Sequence, residues 1–160
     1  MKKMIISMLL LVSALAVQAA VKTVQFRGLA YSVDTERQEA KLLKQSVTIK
    51  GDLPIPEEIQ YKDKVSGNFI SVPVTAIAKN ALAGQKKLKS LYIPASVQKI
   101  GGYAFADCRR LRLVYFASAQ MGAEAGNSTW LSGTKAAIKF DLMPGESVSL
   151  QHINNSNDMD

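Results

Sequence analysis

VTAIAKNALAGQKKLKSLYIPAS at 74–96 lies without a gap over VQKIGGYAFADCRRLRLVYFASA at 97–119, an offset of 23 throughout. Val74/Val97, Ile77/Ile100, Ala81/Ala104, Ala83/Ala106, Leu88/Leu111 and Tyr92/Tyr115 are identical pairs. Leu82/Phe105, Leu91/Val114 and Ile93/Phe116 are similar, and Lys86/Arg109, Lys87/Arg110 and Lys89/Arg112 keep their charge. Apolar, aromatic and basic positions recur together, and such self-similarity at a fixed period marks a repeat architecture.

Each unit reads as one strand and one turn. Leu88-x-x-Leu91-x-Ile93 and Leu111-x-x-Val114-x-Phe116 have the L-x-x-L-x-L spacing of a leucine-rich repeat. Strand alternation turns Leu91 and Ile93 inward and Ser90 and Tyr92 outward. Ala81-Leu82 and Ala104-Phe105 suit short helical turns that plug the opposite wall, and Gly101-Gly102 allows a tight turn before the second. Pro94 ends the first strand, because it cannot donate to a ladder. The expected core is therefore Val74, Ile77, Ala81, Leu82, Leu88, Leu91 and Ile93, followed by Val97, Ile100, Ala104, Phe105, Cys108, Leu111, Val114 and Phe116.

VQKIGGYAFADCRRLRLVYF resembles the BspA-type leucine-rich repeat, V-x-x-I-G-x-x-A-F-x-x-C-x-x-L-x-x-V. Val97, Ile100, Gly101, Ala104, Phe105, Cys108, Leu111 and Val114 match in register. The preceding unit carries Leu82 for the Phe and Gln85 for the Cys, and supplies the family's Ile-Pro at Ile93-Pro94. The resemblance spans 26–116. It implies an α/β fold: a short right-handed leucine-rich-repeat solenoid with a parallel sheet, short helical turns and a β-hairpin-rich N-terminal cap. It also implies a bacterial surface or secreted protein, of a kind in which some members act in adhesion.

Residues 20–73 form the β-rich cap, with a hairpin turn at 34–37, a strand VTIK ending at Gly51-Asp52, and a second turn at 63–67. The repeats occupy 74–140, as 74–96, 97–119 and a degenerate unit at 120–140 in which Phe140 lies 24 residues after Phe116. Residues 141–160 are a short strand at 147–150 and a polar tail.

MKKMIISMLLLVSALAVQAA opens the chain with a basic start, an apolar run and small residues at Val17 and Ala19. This is the pattern of a secretory signal peptide over 1–19, and the run is too short for a membrane span. No lipobox cysteine, no C-terminal anchor and no later span is recognised, so the expected location is secreted, periplasmic or cell surface. The 160 residues are 48% apolar and 21% charged, which excludes a disordered or collagen-like chain.

Twenty Lys and Arg face 13 Asp and Glu, a net charge of +7. Two of the lysines leave with the leader. Eight basic residues and a single Asp107 fall within 74–119, whereas the segments on either side are nearly neutral or acidic. The repeat period stacks Lys86, Lys87 and Lys89 beside Arg109, Arg110 and Arg112 about one strand spacing apart, ~4.8 Å, with Tyr92 beside Tyr115. These eight residues are the candidate binding positions. The bland alternative is a solubilising face whose charge recurs because the repeat does.

No catalytic residue is assigned. Cys108 and His152 are the sole pair suited to nucleophilic chemistry, a remote hydrolase reading, but Cys108 sits at a repeat core position and His152 in the tail. Glu57 and Glu58 are neighbours that a strand sends to opposite faces, and Asp34, Glu36 and Glu39 read as solvated around a turn. No zinc-spaced cluster and no phosphate loop is present, so no metal and no cofactor is expected. The sequons at 127–129 and 154–156 carry little weight in a bacterial setting.

The expected function is that of an exported, non-catalytic repeat protein. It binds a macromolecule, either a protein or an anionic polysaccharide of the envelope or a host surface, through its exposed strand face. Nucleic acid is not expected. The alternative is a structural or assembly component of the cell envelope.

Overall fold

The computed structural model describes residues 21–126 and 128–140. The leader at 1–19, the strand expected at 147–150, His152 and the tail lie outside the described residues.

Two antiparallel hairpins begin the fold. Strands β1 (Val21–Phe26) and β2 (Leu29–Asp34) turn through Arg27-Gly28, and β2 passes to β3 (Glu39–Leu42) through the Asp34 turn. There the Asp34 carboxylate accepts from the Glu36 and Arg37 amides at 3.0 Å each. Strand β4 (Lys50–Pro54) runs straight through Gly51-Asp52, where the sequence pattern ends it. β5 (Glu58–Lys62) and the nine-residue β6 (Phe69–Ile77) form a third hairpin, and β6 continues unbroken through residue 73.

From here the chain repeats. β7 (Lys87–Ile93), β8 (Lys99–Ile100), β9 (Leu113–Phe116), the helix α1 (Ala119–Ala125) and β10 (Ala137–Phe140) complete the described elements. The order β10-β9-β7-β4 makes a four-stranded sheet, parallel throughout. Its register joins Leu91 to Val114 and Ile93 to Phe116, the pairs expected from the offset of 23, and then Phe116 to Phe140. A second sheet runs β1-β2-β3-β6-β5, with β8 paired to β6; across it Leu42, Ile77 and Ile100 are parallel neighbours.

The spacing L-x-x-L has a structural cause. Two intervening residues in a regular strand would send Leu88 and Leu91 to opposite faces. The β4–β7 register slips here, pairing Gly51 with Leu88 and Asp52 with Ser90, so Lys89 is a bulge residue. Leu88 and Leu91 are thereby both buried, while Lys89 stays exposed. All the expected core residues are buried except Ile100, which is half-buried against the core.

Gly101 differs from the expectation. Neither it nor Gly102 has a positive φ, so turn freedom is not their use. A Cβ on Gly101 would lie 2.6 Å from the Lys79 Cα, so its bareness admits the neighbouring backbone. The helix α1 is also additional to the sequence expectation. The Ser118 hydroxyl accepts from the Met121 amide at its start, and Gly122 lies so close to the Phe140 side chain that an added Cβ would collide with it.

β3 and β4 are parallel neighbours of β6 and β7, which makes residues 39–54 an earlier unit of the same stack. Their sequence lacks the L-x-x-L spacing, and the route is shorter: 11 residues from Leu42 to Leu53 against 14 from Ile77 to Leu91. The turns stack too. Gln45 N donates to Ala81 O, Leu82 N to Ala104 O, and Phe105 N to Trp130 O, each within 3.0 Å.

Candidate binding face

The basic residues are held by tight turns. Leu88 N donates to Gln85 O at 3.3 Å and Leu111 N to Cys108 O at 3.0 Å, closing two equivalent four-residue turns. Lys86-Lys87 and Arg109-Arg110 occupy their central positions, where side chains leave the body of the protein. All four are exposed. Lys89 and Arg112 follow on the next backbone rung, with Arg112 N donating to Lys89 O at 2.9 Å. Among the described residues, none of these six cations forms an ion pair.

Beyond the turns lies the outward face of the parallel sheet. Tyr92 and Tyr115 are register partners, and their rings stack with centroids 5.3 Å apart and planes 10° off parallel. Tyr92 is exposed and Tyr115 half-buried. The row continues to Pro54 on one side and Lys139 on the other. In the row below, the Ser90 hydroxyl donates to the Asp52 carboxylate at 2.6 Å.

The structure thus brings all eight candidate positions onto one side. It also adds two lysines that sequence reading passed over. Lys50 pairs with Lys87 and Lys139 with Tyr115. Lys50 sits in a unit with no recognisable repeat signature, and Lys139 replaces the tyrosine of its two predecessors. For Lys139 the faded third unit was the available signal; for Lys50 there was none. Like charges this close repel, and the exposed geometry lets solvent and salt screen the cost.

Cys108 is placed differently. Its side chain is fully buried, and the thiol donates to Leu82 O at 3.1 Å. Burial pushes the Cys108 thiol above its ordinary range, partly countered by the Gln85 backbone N–H, so it is poorly suited to form a thiolate nucleophile. His152, its supposed partner, is outside the described residues. Glu39, expected to be solvated, is half-buried and accepts from the Thr75 hydroxyl at 3.2 Å. Among the described residues no three His, Cys, Asp or Glu side chains gather as a metal set, and no helix is long and apolar enough to cross a membrane.

No protein-family model and no curated protein matches the chain. Among solved structures it is similar to a leucine-rich cell surface protein from Faecalibacterium prausnitzii, with a TM-score of 0.49 and 19% identity over 74% of this chain. The chain spans 26% of that protein's length. It is also similar to a leucine-rich repeat protein from Bacteroides capillosus, with a TM-score of 0.47 and 17% identity, covering 75% of this chain and 99% of the other.

Proposed function

We propose that this chain is an exported, non-catalytic leucine-rich-repeat protein that binds an anionic macromolecule through the face built on Tyr92 and Tyr115. In this reading residues 1–19 direct export, 20–73 cap a right-handed solenoid while contributing the early unit at 39–54, and 74–140 form the repeats recognisable in sequence. The partner is an acidic polysaccharide of the cell envelope or a host surface, or an acidic protein face, and adhesion is one use of such binding.

The observation that carries the reading is the flanking of a stacked tyrosine pair by six exposed cations without ion pairs among the described residues. Cations clustered on one face raise the local concentration of an anionic polymer and speed its capture. The tyrosines add flat apolar area at small entropic cost, each ring carrying a polar hydroxyl at its tip.

The test replaces Lys86, Lys87, Lys89, Arg109, Arg110 and Arg112 by Ser and, separately, Tyr92 by Ala. Binding to immobilised polygalacturonate, a probe acidic polysaccharide, is compared with binding to neutral dextran at low and high salt. The expected result is salt-sensitive retention on the acidic polymer alone, lost in the six-fold variant and weakened in Tyr92→Ala. Retention unchanged in both variants refutes the reading.

A further inference from the structure

Every strand of the parallel sheet presents a cation at the same end. Lys50 of β4 is the register partner of Lys87, and the turns carrying Lys86-Lys87 and Arg109-Arg110 lead into β7 and β9. The last unit takes a shorter path to the same end. Its Thr134 hydroxyl donates to Phe105 O, as the Cys108 thiol donates to Leu82 O one unit earlier. Lys135 follows Thr134 and precedes the buried Ala136, so it fills alone the interval that Arg109-Arg110 fill between Cys108 and the buried Leu111. Lys50, Lys86-Lys87, Arg109-Arg110 and Lys135 are all exposed, and none forms an ion pair among the described residues. This basic band crosses four strands, three spacings of ~4.8 Å or about 14 Å.

We propose, on the basis of the anionic-face reading, that the band binds a linear polyuronate lying across the strands with about one sugar per strand. Three properties select that partner. First, the periods agree. A 1,4-linked uronan advances by roughly one strand spacing per sugar and carries a carboxylate on each. An extended peptide repeats its same-face side chains every two residues, about 6.6 Å, and leaves this register by the third strand. A uronan twisting about its axis sends alternate carboxylates to opposite sides. The next rung supplies a second row for them, Lys89 and Arg112, joined by the bond from Arg112 N to Lys89 O.

Second, the sites are copies of one another. Lys87/Arg110 and Lys89/Arg112, each one offset apart, present like groups at equal intervals. A homopolymer repeats in the same way, whereas the acidic face of a folded protein does not. The row Pro54-Tyr92-Tyr115-Lys139 also crosses the four strands, parallel to the band. A chain in this orientation lies along the tyrosines, whose rings offer apolar edges with polar tips to a sugar.

Third, the cations are available and suited to carboxylates. Two acids lie on these elements, Asp52 and Asp107. Asp52 accepts from the Ser90 hydroxyl and the Asp107 carboxylate lies against Gly133, and neither forms an ion pair among the described residues. Arg109, Arg110 and Arg112 carry planar forks of donors that match a carboxylate with two parallel bonds. The flanking lysines act as point charges that tolerate small errors of register.

The experiment titrates the full chain with oligogalacturonides of increasing length and with polyglutamate of matched charge, by calorimetry in calcium-free buffer at low salt. Affinity is expected to rise with each sugar from dimer to tetramer, one per strand, and to level off beyond. Lys50→Ser and Lys135→Ser, at the two margins of the band, each weaken the tetramer by about two- to fivefold and leave the dimer nearly unchanged. Affinity that stops rising at the dimer, or a tetramer indifferent to both substitutions, overturns the crossing orientation and with it the proposal. Polyglutamate bound as tightly as the uronate of equal charge also overturns it, and the anionic face then stands with an acidic protein as its partner. If neither polymer binds, the face and the polyuronate fall together.

Discussion

The backbone N–H of Cys108 donates to the Thr134 hydroxyl oxygen at 3.2 Å, and that hydroxyl donates in turn to Phe105 O at 2.9 Å. Cys108 makes the corresponding bond one unit earlier, from its thiol to Leu82 O. Gln85 does so one unit earlier again, donating to Val47 O at 2.8 Å and accepting from Ile49 N at 2.9 Å. Three unlike side chains form one buried polar ladder along the stack.

Thr134→Val keeps the volume but leaves the Cys108 amide without its acceptor and Phe105 O without its donor. The expected loss is about 1–3 kcal/mol, because buried polar groups bear their full desolvation cost when unpartnered. Thr134→Ser keeps the hydroxyl and is expected to cost less. Urea denaturation of the three proteins checks the order; equal stability of Val and wild type refutes it.

Gly101→Ala is expected to destabilise by about 1–3 kcal/mol, since its methyl enters the Lys79 backbone and something must shift. Gly102→Ala meets only the Thr129 hydroxyl, at 3.4 Å, and should change stability by less than ~0.5 kcal/mol. Thermal melts of the pair distinguish close approach from turn flexibility, which predicts comparable losses at both positions.

Tyr103 holds a left-handed φ of 57°, at the position where the preceding unit has Asn80 at 56°. Asn tolerates this conformation better than an aromatic residue. Tyr103→Asn is expected to stabilise by about 0.5–1 kcal/mol, measured by urea denaturation. A loss would show that the Tyr103 ring, 45% exposed, contributes more by packing than its backbone costs.

Tyr31 is fully buried, and its hydroxyl has no hydrogen-bond partner among the described residues. Burial pushes its pKa from 10.0 up to about 12, slightly offset by Arg27. Because the folded value lies above the unfolded one, stability is complete below pH 10 and falls as pH rises from about 10 to about 12. Tyr31→Phe is expected to gain about 1 kcal/mol at neutral pH and to lose part of this alkaline decline. Chemical denaturation from pH 7 to 11 reads both effects, and an unaltered alkaline limb in the variant refutes the assignment.

The 23-residue offset made the central strands legible down to their register, since Leu91 and Val114 keep both apolar character and spacing. The same route to the candidate face failed at its margins. The unit at 39–54 pairs like its successors, but its shortened path carries Gln45 where Leu82 and Phe105 stand, and Gln45 turns back to bond Ala30. In the last unit the offset is 26 from Ala106 to Ser132 in the turns and 24 from Phe116 to Phe140 in the strands, so no single alignment finds both. The buried ladder was hidden for a chemical reason. Gln, Cys and Thr share a donor and a burial site, not a hydropathy.

That ladder gives the architecture a tolerance. Where the receiving unit is short, Gln85 extends an amide that engages both Val47 and Ile49; where the receiving unit has the full path, a thiol or a hydroxyl suffices. Side-chain reach acts as an adjustable spacer between units of unequal length. Units of unequal length are thereby joined through the same position of the turn, by whichever side chain spans the gap.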